Sequence, residues 1–213
     1  MHEREKFNDI KSYLRDLKFS VLFDDSKITL DEFTDWGGFF YKKRRKCLET
    51  LVELGAVLTG STALSLYRIN GQKIFNRDPG DLDFFLSRDK FVAFCGLYNL
   101  TNITYTNTVV SIDINTGKYR GRDSYGGDRG YAFGTQFDII GDDDPINYQM
   151  AGKVRVQNFI DIINYKVHLI EKYLSSSDRD SISNSRKHID DLWILISKLN
   201  SQVVFVDLNN TKK

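Results

Sequence analysis

Phe7, Ile10, Leu14 and Leu17 recur at three- and four-residue steps, which predicts an amphipathic helix over about residues 3–19. The same period returns in Cys47, Leu48, Leu51 and Val52, predicting a second helix over about 40–54 with the basic run Lys42-Lys43-Arg44-Arg45-Lys46 outside. Gly55 ends that helix. Ala56-Val57-Leu58-Thr59 then reads as a short buried strand, Gly60-Ser61 as a turn, and Ser61 or Thr62 as the cap of a helix running to about Ile69. Asn70-Gly71 is a turn signal. Residues 81–86 form a strand, and about 88–98 a helix with Phe91, Phe94 and Cys95 inward.

Further along, residues 103–114 are rich in Thr, Val and Ile and read as strand. The stretch from 116 to 130 holds too much glycine for a packed element and is expected to be a hairpin tip or flap. Strand resumes over 131–140 and stops at Gly141-Asp142-Asp143-Asp144-Pro145, with a short strand over 154–156. Two helices follow, about 159–174 and 183–199, and residues 203–206 suggest a small last strand. The expected organisation is therefore N-terminal helices over 1–54, an α/β core over 55–158 and a helical C-terminal part over 159–213.

Composition narrows this little. Lys+Arg 30 against Asp+Glu 29 leaves a net charge of +1, so no global field points to nucleic acid or membrane. A hydrophobic fraction of 41% in 213 residues allows a sizeable core. Cys47 and Cys95 have neither metal-ligand nor redox spacing and are expected to be buried thiols in a reducing cytosol. Neither a secretory leader nor a membrane-spanning run is read in the sequence, so the expected location is cytoplasmic.

The chemistry is concentrated in Asp81-Leu82-Asp83. On a strand, residues two apart share a face, so Leu82 should enter the core while both carboxylates share one rim. Two carboxylates held that close repel unless a cation lies between them. Hard divalent ions such as Mg²⁺ suit carboxylate oxygens and accompany phosphate substrates. Upstream, the small-residue turn at Gly60-Ser61 lets backbone N–H groups approach an anion. Further acidic strand positions lie downstream. Asp138, within Gln136-Phe137-Asp138-Ile139-Ile140, is one, and Asp113 in Ser111-Ile112-Asp113-Ile114 is its rival.

An apolar strand, Gly60-Ser61-Thr62-Ala63-Leu64, a helix and then Arg77-Asp78-Pro79-Gly80-Asp81-Leu82-Asp83-Phe84 together resemble the nucleotidyltransferases of the DNA polymerase β-like superfamily. The likeness is greatest to the minimal and abortive-infection toxin types. It extends to Lys166 and to Arg186-Lys187-His188-Ile189-Asp190-Asp191-Leu192, and covers roughly residues 55–195. Serine stands where those types have a second glycine, and the connection from Ser61 to Asp81 is long.

The resemblance implies a nucleotidyltransferase fold, a short mixed β-sheet flanked by helices with a helical C-terminal part. It implies an enzyme that moves a nucleoside monophosphate from an NTP such as ATP to an acceptor hydroxyl on RNA, protein or a small molecule, releasing pyrophosphate. Two Mg²⁺ ions would be held by Asp81, Asp83 and Asp138. Gly60 and Ser61 would meet the phosphates, Arg77 would anchor them or fix the loop before Asp81, and Lys166 would contact the triphosphate. Lys187 and His188 with Asp190 or Asp191 would buttress the site. The resemblance also raises the prospect of a toxin paired with an antitoxin protein, and of a non-catalytic nucleotide- or RNA-binding member. The flap, with Lys118, Arg120, Arg122 and Arg129 among Tyr119, Tyr125 and Tyr131, carries cations and rings suited to a tRNA or single-stranded acceptor.

Overall fold

The structure is a computed structural model that describes residues 2–16, 22–23, 41–69, 71–74, 81–100, 109–113, 119–122, 136–143, 146–175 and 185–199. Two compact units emerge: residues 23–66 with 77–158, and residues 1–22 with 67–76 and 159–213. This division by contact interleaves along the chain.

The first unit is built on a mixed seven-stranded sheet of order β7-β6-β8-β5-β2-β10-β9. Its strands are β2 (Val57–Thr59), β5 (Asp81–Leu86), β6 (Val109–Asp113), β7 (Tyr119–Arg122), β8 (Gln136–Gly141), β9 (Tyr148–Ala151) and β10 (Val154–Gln157). The pairs β5–β8 and β2–β10 are parallel, and the others are antiparallel. The fold is mixed α/β, as expected from the alternation of period-two and helical patterns.

Period two divides the sheet into unlike faces. On one face Leu58, Leu82, Phe84, Val110, Ile112, Phe137, Ile139 and Val156 are all buried, and the Phe84 and Phe137 rings stack at 6.4 Å. Burying each such ring contributes on the order of 1.5–3 kcal/mol. Helix α4 (Arg88–Leu97) lies against the end of β8: a Cβ at Gly141 would meet Phe91 Cγ at 2.8 Å. Ser87 makes no side-chain cap for α4. Instead the Arg88 backbone N–H donates to Asp143 Oδ1 at 3.0 Å, so Asp143, in the expected acidic turn, serves as the missing acceptor. Helix α2 (Tyr41–Glu53) contributes buried Cys47, Leu48 and Leu51.

The second unit contains α1 (His2–Asp16), α5 (Phe159–Ser175), α6 (residues 185–199) and the strands β3 (Tyr67–Ile69) and β4 (Gln72–Lys73), whose small sheet also includes β1 (Leu22–Phe23); the boundary between the units falls after Leu22. Phe7 and Ile10 of α1 are buried, as are Ile162, Leu169 and Ile170 of α5 and Leu192 and Leu195 of α6. Lys6 pairs with Asp190 at 3.0 Å and Arg186 with Glu3 at 2.8 Å. Arg4 Nη2 donates to the Leu174 carbonyl at 2.7 Å.

Three sequence expectations change. The helix after Gly60 is α3 (Gly60–Leu66), and it stops before Tyr67 rather than continuing to Ile69. Tyr67 and Ile69 suit a strand, and Gly71 at φ +75 supplies the turn that folds β4 back antiparallel on β3. Residues 119–122, placed in a flap by their glycine content, form β7 paired antiparallel with β6; residues 123–135 lie outside the described residues. Strand β9 went unread; Tyr148, Gln149 and Met150 are exposed, and Gly152 at φ +59 turns the strand into β10. The strand expected over 203–206 also lies outside the described residues.

Candidate metal centre

The face opposite the apolar one changes character along the strands. At one end Val57, Phe85 and Ile140 stand side by side as register partners and pack with Ile146. One step along each strand, Thr59 lies opposite Asp83, Asp83 opposite Asp138, and Asp138 opposite Ser111. The next step brings Asp81 opposite Gln136 and Gln136 opposite Asp113. One end of the face is hydrophobic and the other polar.

Asp81, Asp83 and Asp138 converge there, each offering a carboxylate oxygen within 4.8 Å of the others. Asp81 and Asp83 do so because they are two apart on one strand. Asp138 does so because β8 runs parallel to β5 in the register that places it directly across from Asp83. Asp81 and Asp83 share one face of the sheet, as expected; Asp83 is 3% and Asp138 6% exposed. Both lie deeper because β2 and β10 extend the sheet beyond β5 while β6 and β7 extend it beyond β8. Asp113 sits one strand further out, across from Gln136, and its side chain lies outside the described ones.

Gly60 closes on this cluster. Its φ is +68, and a Cβ built on it would stand 2.1 Å from Asp83 Oδ2. Only glycine combines that backbone conformation with that approach. Two requirements thus meet at one position. Thr62 Oγ1 donates to the Asp81 carbonyl at 2.8 Å, tying α3 to the start of β5. The Gly-Ser bend and the Asp-x-Asp strand therefore form one local structure.

The donor set fits a hard divalent cation. Ligand oxygens lying 2.0–2.6 Å from such an ion are separated by about 4–5 Å across it, the scale of the carboxylate cluster. Three carboxylates gathered in this way carry like charge, which a cation relieves.

The other predicted residues fall differently. Ser61 follows Gly60 at the start of α3. Arg77 lies outside the described residues. Lys166, in the helical unit, is buried and its Nζ donates to Asp191 Oδ2 at 2.9 Å, with both side chains 4% exposed. His188 stacks on Tyr173 at 6.1 Å, Lys187 is exposed, and Asp190 pairs with Lys6.

Sequence reasoning passed over Thr59, Ser111 and Gln157, all buried and all polar. Thr59 and Gln157 hydrogen-bond through Thr59 Oγ1 and Gln157 Oε1. The signal was present, since each closes a short apolar strand, Val57-Leu58-Thr59 and Val154-Arg155-Val156-Gln157. What was missing was which strands are neighbours.

Neither a family model nor a curated protein sequence matches this chain. Among solved structures it is similar to the Megavirus polyadenylate synthase, at 11% identity and a TM-score of 0.43 over 92% of this chain. This chain spans 36% of that synthase chain. It is also similar to JHP933 from Helicobacter pylori, at 16% identity and a TM-score of 0.32, over 79% of this chain and 95% of that one. Both likenesses are loose, and the chain's own residues carry the functional argument.

Proposed function

We propose that this protein is a divalent-metal-dependent nucleotidyltransferase, moving a nucleoside monophosphate from an NTP to an acceptor hydroxyl. The observation that carries the reading is the convergence of Asp81, Asp83 and Asp138 within 4.8 Å, directly against Gly60. In the reaction the acceptor oxygen forms a bond to the α-phosphorus, the bond from that phosphorus to the β-bridging oxygen breaks, and pyrophosphate leaves. The acceptor's proton is lost to solvent.

Asp81 and Asp83 would hold two ions, Mg²⁺ by preference, and Asp138 would complete the shell of one. Bound there, Mg²⁺ supplies a lowered pKa for the acceptor hydroxyl and neutralisation of the triphosphate. Gly60 keeps the Asp83 carboxylate close to the bend because it has no side chain to displace it. Thr62 holds that bend to β5. Ser61, next to Gly60, supplies a hydroxyl for the phosphates, and Arg77 a further cation. The proposal rests on one unit and assigns Lys166 no role, its ammonium being paired with Asp191. RNA ends, protein side chains and small molecules remain the acceptor classes.

The test is incubation with each α-³²P-labelled NTP, Mg²⁺ and total cellular RNA or protein, alongside the Asp81→Ala/Asp83→Ala variant. Label should move to an acceptor with the wild type and fall at least a thousandfold in the variant, about 4 kcal/mol of transition-state stabilisation. Transfer that survives the double substitution overturns the assignment. Nucleotide binding without transfer points instead to a binding protein.

A further inference from the structure

The β9–β10 hairpin closes one edge of the sheet with cations and a ring that the metal centre does not use. From Ile146 to Asn158 the chain carries Lys153 and Arg155 and no acidic residue. Tyr148 and Met150 of β9 are 43% and 47% exposed. Tyr148 lies across from Gln157, Gln157 hydrogen-bonds to Thr59, and Thr59 lies across from Asp83. The tyrosine therefore belongs to the face that carries the acids, three strands out from β5. Arg155, across from both Val57 and Met150, shares that face. Its guanidinium lies over the Tyr148 ring at 4.9 Å, and its Nη1 donates to the Gly55 carbonyl at 3.2 Å. The ring is thus held from one side by a fixed cation.

We propose that this hairpin seats a single-stranded nucleic acid acceptor, one base stacking on Tyr148 and the phosphates beside it meeting Lys153 and Arg155. The inference rests on the nucleotidyltransferase reading above and names its acceptor class. Every base has a face to stack on an exposed ring, and cations along the same groove suit the backbone. Three strand spacings put Tyr148 about 14 Å from the β5 acids. A stacked strand advances about 3.4 Å per nucleotide, so the gap takes several nucleotides, not the one that an NTP supplies. Gln157 and Thr59, in between, are buried. The strand therefore meets the protein at the ring and again at Asp81, the half-buried acid of the cluster. A second copy pairing edge to edge on β9 would gain only a four-residue strand and bring like charges together. An acidic peptide would answer the cations and leave the ring unused.

The experiment is fluorescence anisotropy of a short labelled oligouridylate with the full chain in EDTA, so that binding is read without the metal centre. The wild type is compared with Tyr148→Ala, Tyr148→Trp and Lys153→Ala, with melting curves for each. Tyr148→Ala should weaken binding on the order of tenfold, the scale of one stacked base, and Tyr148→Trp should not. Lys153→Ala should make the slope of log affinity against log salt shallower by about 0.7, one phosphate contact on a single strand. Heparin, a polyanion without bases, should bind Tyr148→Ala as it binds the wild type. Undiminished RNA affinity in Tyr148→Ala overturns the proposal, and so does an equal loss of heparin or polyglutamate binding. UMP binding as sensitive to Tyr148 as RNA binding puts a lone nucleotide on the ring and overturns it too. If Tyr148→Ala does not fold, Lys153→Ala decides: a shallower slope supports the proposal and an unchanged one overturns it. A wild type that binds no RNA yet transfers label overturns this proposal and leaves the enzyme; one that binds RNA through Tyr148 yet transfers no label overturns the enzyme reading and leaves the binding site.

Discussion

Each unit buries charge, and they do it in opposite ways. In the helical unit Lys166 and Asp191 neutralise one another at 2.9 Å, with both side chains 4% exposed. In the sheet unit three carboxylates gather within 4.8 Å. A buried opposite-charge pair is a closed account, complete without a ligand. A cluster of like charge is tolerated in a fold because something else relieves it, and here the relief proposed is a metal ion carrying a nucleotide. On the proposed function, the difference separates charge that serves the fold from charge that serves chemistry.

The strongest way to break this comparison is Asp191→Ala. Leaving the Lys166 ammonium buried without its carboxylate should cost about 3–5 kcal/mol in urea unfolding, whereas Lys166→Met/Asp191→Leu together should cost far less. If both cost the same, the pair is not a self-contained unit. Next in size is Gly60→Ala, which combines backbone strain at φ +68 with a methyl group driven into Asp83. A loss of about 1–3 kcal/mol is expected. Mg²⁺ should raise the melting temperature less than in the wild type, because the carboxylate must move. The smallest effect has the opposite sign. Asp83→Asn should raise stability in metal-free buffer by about 1 kcal/mol through relief of like charge, and should abolish stabilisation by Mg²⁺. A destabilised Asp83→Asn in metal-free buffer would show that the acids serve the fold after all.

The elements most legible in the sequence were those with strong local periods. The helices at Tyr41–Glu53, Arg88–Leu97 and Phe159–Ser175 fall within one or two residues of their expected bounds. Asp81 and Asp83 could be paired from sequence because period two acts within a single strand. Asp138 could not be joined to them by local reasoning, since that requires knowing that β8 lies parallel beside β5; the family resemblance pointed to a third acid. The resemblance left Asp138 and Asp113 both open; Asp138 lies across from Asp83, and Asp113 one strand further out, across from Gln136. The polar line through Thr59 and Gln157 was illegible for the same reason, being a property of neighbouring strands. Tyr67–Ile69 shows a different failure, in which the helix was read but shifted along the chain: α3 begins at Gly60, ahead of the expected cap at Ser61 or Thr62, and stops at Leu66 rather than near Ile69.

Cys47 and Cys95 are the only cysteines, and both are buried free thiols. Burial pushes Cys47 up to about 12 and Cys95 up to about 11, so at neutral pH neither presents a thiolate to an alkylating reagent. The molecule therefore comes with its native sulfur chemically silenced. A single cysteine introduced at exposed Leu97 or Tyr148 would take a fluorophore or spin label alone, giving an optical or magnetic reporter without first stripping the chain of its own cysteines.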